Sequence, residues 1–339
     1  MTMAYDYEYD DDGLSDCDSE SSDVFDEESE ERDNARRAPD WQGLRSLLKL
    51  RGCYLDTAAD VRHFYEKYWR DNPGSENKSC REYQRACSLP PSALCRDLGL
   101  PDNLARARHA PHGTRIMIKA VGLRSREAHI VRRLSSPSMR DDPRNHCIPV
   151  LDIISVPDQH LTLLVMEEWS SELMPDTPCC LRLFLRALRS CVSHMVFLHE
   201  HRIAHLDISL RNLVTDYQGH YACIDYEASR CFEGMTEPRI LIERGTELPP
   251  EMERGEGGDP FAADVWAMGI LFLRALHMTG RNVPELVPII RAMLADAPRE
   301  RPRAPAVLRA FDAMLPTINS SRLDGCPYPT QLAHSVMST

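Results

Sequence analysis

The sequence predicts an α+β fold in two lobes, a small β-rich one and then a helical one, behind a disordered acidic tail. Three observations carry this. Stretches with strand character, RIMIKAV (115–121), CIPVLDIISV (147–156) and LTLLVMEEW (161–169), come before a long 3.6-periodic stretch at Leu181–Leu198, and helical patterns dominate after it. A single helix, Glu127 to Leu134, falls among the strands. Charge is also concentrated at one end. Residues 1–33 hold fifteen Asp/Glu and one arginine, a net −14, whereas the other 306 residues set 39 Lys/Arg against 37 Asp/Glu.

Taken in order, residues 1–40 carry too many like charges and too few apolar groups to collapse, so the spacing predicts disorder there. Ser15, Ser19, Ser21, Ser22 and Ser29 sit among acids and would suit an acid-directed kinase. Residues 41–95 read as a helical N-terminal extension. Trp41, Leu44, Leu47, Leu48 and Leu50 keep helical spacing through 41–55, Val61, Phe64, Tyr65 and Tyr68 do so through 57–71, and DNPGSENKSC follows as a loop. The strands and the helix among them assign 96–168 to the β-rich lobe, with a turn at Pro111-His112-Gly113 before the first strand. Residues 169–316 form the helical lobe. Its long helix at 181–198 buries Leu181, Phe184, Leu185, Leu188, Cys191, Val192 and Met195, and three short β pieces, RIAH, NLV and YACID, follow. Residues 317–339 read as a C-terminal tail.

Composition excludes several classes. The longest apolar stretch, around Met268–Leu273, is interrupted by Arg274, which argues against a membrane span. The acidic N-terminus is unlike a signal peptide or presequence. The acidic balance and lack of a basic cluster argue against nucleic acid as partner. The twelve cysteines include no CxxC pair, and Cys80, Cys87 and Cys95 are too widely spaced for a zinc site, so they read as reduced thiols of a cytoplasmic or nuclear protein.

The chemistry concentrates in HLDISLRNLVTDYQGHYACIDYE, residues 205–227. It sets Asp207, Asn212 and Asp225 on short loops at strand ends. Phosphoryl transfer needs such a set: one carboxylate to accept the proton of the attacking hydroxyl, and an amide oxygen with a second carboxylate to hold Mg²⁺ on the phosphates.

These motifs resemble those of the eukaryotic protein-kinase superfamily, in order, over roughly residues 100–316. The resemblance implies a two-lobed kinase fold using ATP and Mg²⁺ on a protein substrate. It casts Lys119 as the phosphate-gripping lysine, Glu127 as its helix partner, Met166 as gatekeeper and Glu167–Trp169 as hinge. Asp207 is then the catalytic base, with Asn212 and Asp225 as metal ligands. Pro249-Pro250-Glu251, Asp264-Val-Trp266-Ala-Met-Gly269 and Arg301 resemble the motifs that build the family's helical lobe. The phrase DPRNHCIPVLDIISVPD, with RGCYL upstream, further resembles kinase-like proteins abundant in mushroom-forming fungi.

The chain departs from that pattern in four places. No glycine-rich loop precedes Lys119: Gly99 alone is near the expected place, and Gly113 belongs to the turn. Tyr226-Glu227 replaces Phe-Gly, Leu206 replaces the arginine before the catalytic aspartate, and Ser209 replaces the usual catalytic-loop lysine, with Arg211 where tyrosine kinases carry arginine. The reading is therefore a divergent protein kinase. A pseudokinase acting as a binding module is the alternative that the missing glycines favour. A small-molecule phosphotransferase is a third, because Ile224-Asp225-Tyr226-Glu227 resembles the Ile-Asp-Trp-Glu of aminoglycoside and choline phosphotransferases.

Overall fold

A computed structural model describes residues 27–110, 113–170, 180–242 and 245–325. One five-stranded antiparallel sheet, β1 (Cys53–Leu55), β2 (Leu104–His109), β3 (Thr114–Gly122), β4 (Val150–Val156) and β5 (Leu161–Glu167), runs in the order β1-β2-β3-β5-β4. Alternation along β3 divides the labour. Ile116, Ile118 and Ala120 pack beneath α2 (Trp41–Leu50) with Trp41, Leu44 and Leu48. Met117 and Lys119 face the opposite way, into a cleft. Helix α5 (Arg126–Leu134) is N-capped by Ser125 and buries Ile130, Val131 and Leu134 against the helical lobe.

Beyond the one-turn α6 (Pro137–Arg140), the helical lobe is organised on α7 (Leu181–Glu200) and α9 (Pro260–Thr279), with the short α8 (Pro250–Glu253), α10 (Val287–Met293) and α11 (Ala304–Met314) packed around them. Phe272 of α9 meets Phe311 of α11 edge to face at 5.9 Å. By length and composition α9 could cross a bilayer; half of that window is buried, and it carries Asp264 and Arg274. Its role here is a core helix, with Val265, Met268, Leu271 and Phe272 inside. Short pairs β6 (Ile203–Ala204) with β9 (Arg230–Cys231), and β7 (Leu213–Thr215) with β8 (Tyr221–Cys223), sit at the junction of the lobes.

The α+β order of strands then helices stands, and several boundaries move. The sequence predicts disorder of the acidic stretch to residue 40. Residues 1–26 lie outside the described residues, with Ser15, Ser19, Ser21 and Ser22 among them, but Glu27–Asn34 form a helix, α1, seated on the sheet lobe. The predicted helix over 41–55 stops at Leu50. Gly52, at φ 74°, turns the chain, and Cys53-Tyr54-Leu55 enters the sheet with alternating burial. The helical extension at 41–95 therefore contains the sheet's first strand. The rest of it, α3 (Ala58–Asp71) and α4 (Arg81–Ser88), is an insertion between β1 and β2. At the other end, α12 (Ser320–Asp324) is not loose tail: Leu323 is buried, and Asp324 pairs with Arg182 of α7 at 2.7 Å.

Candidate active site

Lys119 leaves β3 on its cleft face and is 7% exposed. Its Nζ donates to Glu127 Oε1 and Asp225 Oδ1, each at 2.7 Å. The short sequence gap between Lys119 and Glu127 is spanned because Gly122-Leu123-Arg124-Ser125 turns directly from β3 into α5, placing Glu127 in the helix's first turn. Burial works against the Lys119 ammonium, but the two carboxylates outweigh it and raise its pKa. Asp225 is held below the usual carboxylate range, because Lys119 overcomes the opposing effect of burial. Burial pushes Glu127 the other way, up, against the pull of Lys119.

The segment bearing Asp225 is clamped from two sides. The Tyr226 N–H donates to Glu127 Oε1 at 3.2 Å. The Tyr226 hydroxyl lies 2.9 Å from His194 Nε2. Because His194 Nδ1 accepts from the His146 N–H (3.0 Å) and burial holds the ring neutral, its proton resides on Nε2 and is donated to the tyrosine oxygen. Asp225 itself adopts φ 65°, a left-handed conformation costing roughly 1–3 kcal/mol for a non-glycine residue.

Asp207 and Asn212 sit on the neighbouring loop. They do not line the cleft wall, but Ile224 N–H to Asn212 O (3.0 Å) ties that loop to the Asp225 segment. Both Asp207 oxygens accept: Oδ2 from Asn212 Nδ2 at 2.8 Å, Oδ1 from the Thr246 N–H at 3.0 Å. Leu206, just before, adopts φ 64° and is pinned because Asp264 of α9 accepts the N–H of both His205 and Leu206 at 2.8 Å. Ser209, where a catalytic-loop lysine was absent from the sequence pattern, is buried.

Met166, Glu167, Glu168 and Trp169 border the same cleft, of about 1230 Å³. Trp169 Nε1 donates to Glu167 Oε2 at 2.8 Å. Glu168 instead holds Arg106 and Arg115 of the sheet. The cleft brings together Lys119, Glu127, Met166, Glu167, Trp169 and Asp225, with Asp207 and Asn212 adjoining. Hard oxygen donors from Asp225 and Asn212, whose amide NH2 is committed to Asp207, suit Mg²⁺. The apolar Met117, Ile148, Met166, Val214 and Ile224 suit a flat heterocycle.

No family model matches the chain. Among curated proteins it is similar to the serine/threonine-protein kinase AtPK2/AtPK19 of Arabidopsis thaliana, at 35% identity over 95 residues, 28% of this chain and 19% of that protein. Serine/threonine-protein kinase PRR2 of Saccharomyces cerevisiae is 28% identical over 147 residues, 42% of this chain and 19% of that one. Cyclin-dependent kinase C-2 of Oryza sativa is 29% identical over 135 residues, 38% and 25% respectively. The chain is related to the protein kinases. It spans only about a fifth to a quarter of the length of these relatives.

Within this kinase-like frame the helical-lobe motifs make specific bonds. Arg301 NH1 and NH2 each meet a Glu251 carboxylate oxygen at 2.7 Å, with side chains 0% and 2% exposed. Where a glycine-rich loop would cover the phosphates, residues 56–103 with α3 and α4 intervene between β1 and β2. Sequence reasoning passed over two charged groups at this cleft. Arg36 donates to Glu227 Oε2 at 2.9 Å, and Glu227 shares a carboxylate cluster with Glu127 and Asp225 in which oxygens lie within 4.8 Å of one another. In the sequence Glu227 appears as the replacement of a glycine and as the end of the Ile224-Asp225-Tyr226-Glu227 motif, with nothing to place Arg36 beside it. The single cue for Arg36 was that Arg36-Arg37 ends the acidic stretch.

Proposed function

We propose that the chain is a phosphotransferase of the protein-kinase type, moving the γ-phosphate of Mg-ATP to a hydroxyl of a protein substrate. The observation that carries this is the Lys119 ammonium held between Glu127 and Asp225, with an Asp207 carboxylate fixed by Asn212 and Thr246 on the loop that Asn212 ties to the Asp225 segment. When bound, Mg-ATP supplies the phosphoryl group and a metal that neutralises its charge. Lys119 presents a fixed positive charge to the phosphates. Asp225 and Asn212 offer oxygens to the metal, and Asp207 accepts the proton of the incoming hydroxyl. With Tyr226 clamped at both ends, Asp225 is aimed at the cleft without a glycine to let it swing.

A second reading, a binding module without turnover, is favoured by one observation: helices occupy the connection that would otherwise supply backbone N–H groups to phosphates. The Ile224–Glu227 likeness keeps a small-molecule acceptor as a further variant of the transfer reading. A reducing cytosolic or nuclear setting, in which the cysteines stay thiols, is part of the same proposal. Radiolabelled ATP with Mg²⁺ separates the readings. Label on protein that vanishes in Asp207→Asn supports transfer. Nucleotide binding without turnover in the wild-type chain sinks it and leaves the binding module.

A further inference from the structure

The acidic stretch ends in Arg36 and Arg37, and the first of these reaches the cleft. Helix α1 is seated on the sheet lobe by specific contacts. Asn34 Oδ1 accepts the Arg126 N–H at 2.8 Å, and Glu30 pairs with the Arg126 guanidinium at 2.8 Å. The Asp33 carbonyl lies so close to Gly122 that any side chain there would collide with it. From this anchor Arg36 extends to Glu227, within the field of Asp225 and Glu127.

A phosphate-binding cleft without a glycine-rich loop needs other donors. Among the described residues six cationic side chains line this one: Arg36, Arg85, Arg96, Arg106, Arg115 and Lys119. Arg106 and Arg115 are committed to Asp97, Asp56 and Glu168. Arg85 donates to the Arg96 carbonyl, and Arg96 to Asp102 and the Pro101 carbonyl. Lys119 and Arg36 are left facing the Asp225 end. Lys119 is enclosed, whereas the Arg36 and Glu227 side chains are 52% and 39% exposed. So exposed a pair is weak, and its guanidinium can exchange a carboxylate for a phosphate that it grips with two parallel N–H bonds.

We propose that Arg36, delivered by docked α1, is a nucleotide-phosphate-binding residue that stands in for the absent glycine-rich loop. The inference rests on the phosphotransferase reading and is tested beneath it. Calorimetric titration of the full chain uses Mg-ATP and, separately, adenosine, with the wild type, Arg36→Ala, Arg36→Lys and Gly122→Ala. Arg36→Ala weakens Mg-ATP about tenfold, the scale of one charged hydrogen bond at a half-exposed site, and leaves adenosine unchanged. Arg36→Lys recovers part of the loss, as a point charge without the fork. Gly122→Ala, by expelling α1, reproduces it.

Unchanged or tighter Mg-ATP binding in Arg36→Ala overturns the inference while the phosphotransferase reading stands, the tighter case making Arg36 a plug. Equal loss of adenosine overturns it as well, because the effect is then not on phosphate. Normal Mg-ATP affinity in Gly122→Ala overturns delivery by α1. A wild-type chain that binds no Mg-ATP takes down the phosphotransferase reading and the inference together.

Discussion

Asp264 offers a direct way to loosen the catalytic loop from behind. It is 1% exposed and serves three donors: the N–H of His205 and of Leu206, both at 2.8 Å, and His199 Nε2 at 2.9 Å. Asp264→Asn preserves shape but leaves one carbonyl oxygen for these donors and turns an NH2 toward the rest. At least one buried backbone N–H then loses an ionised acceptor. A charge-assisted bond is worth about 1.5–3 kcal/mol, and an orphaned buried donor costs about 1–3 kcal/mol. Part of that is returned, because Leu206 no longer has to hold φ 64°, itself a strain of roughly 1–3 kcal/mol. The net expectation is about 2 kcal/mol. Urea denaturation should show that loss, and hydrogen exchange should show it locally, as faster exchange at His205 and Leu206 with α11 unaffected. A loss below about 0.5 kcal/mol with unchanged protection at 205–206 would refute the view that α9 holds this loop in its strained form.

Other outcomes follow from the same geometry. Arg301→Met leaves the Glu251 carboxylate buried and unpaired, so it should cost about 3–5 kcal/mol in chemical denaturation; the double variant with Glu251→Leu should recover most of it, and two similar losses would contradict this. Asp60 caps α3 with Thr57; burial raises its pKa, but the Thr57 bonds and the Arg108 guanidinium prevail and hold it below the usual carboxylate range. Its contribution is therefore whole above about pH 4 and is lost as pH falls through the depressed value, so Asp60→Asn should flatten the acid limb of a melting-temperature profile. On the phosphotransferase reading, Mg-ATP at a hundredfold its Kd should stabilise the wild type by about 2.7 kcal/mol in a thermal-shift assay, and Lys119→Met should abolish most of that shift.

The parts of the fold legible in sequence were those with strong periodicity or ordered polar motifs. Helix α7 announces itself by a long apolar stripe, and β5 by an apolar run, Leu163–Met166, within a strand buried on both faces. The pair of β2 with β3 was only half visible. In LARARH the inward residues are Ala105 and Ala107, too small to register as an apolar alternation, and the outward arginines read as solvated charge although Arg106 is paired with Asp97 and Glu168. Strand β1 has three residues, too few for any period to show, and its partner lies far along the chain. The helix α1 at the end of the acidic stretch is illegible in sequence for another reason. Its own residues favour no collapse; its order comes from partners on two other elements, Gly122 of β3 and Arg126 of α5. At the site, Lys119, Asp207, Asn212 and Asp225 were legible because chemistry fixes their types. Arg36 was not, because only the docking of α1 brings it to the cleft.

The insertion between β1 and β2 has a kinetic side. A hairpin joining two strands closes a loop of a few residues; here β1 reaches β2 only after residues 56–103 have been brought round. By loop-closure entropy that detour costs about 2 kcal/mol more than a tight turn, against a strand offering only three paired residues. The β2–β3 and β4–β5 hairpins, closed by the short connections 110–113 and 157–160, are thus the natural nuclei, and the edge carrying β1 and α2 is the last part of the sheet to settle. The β1 edge of the sheet is consequently the section that opens first, and partially folded forms of this chain should keep the Lys119 strand while exposing the face that α2 covers.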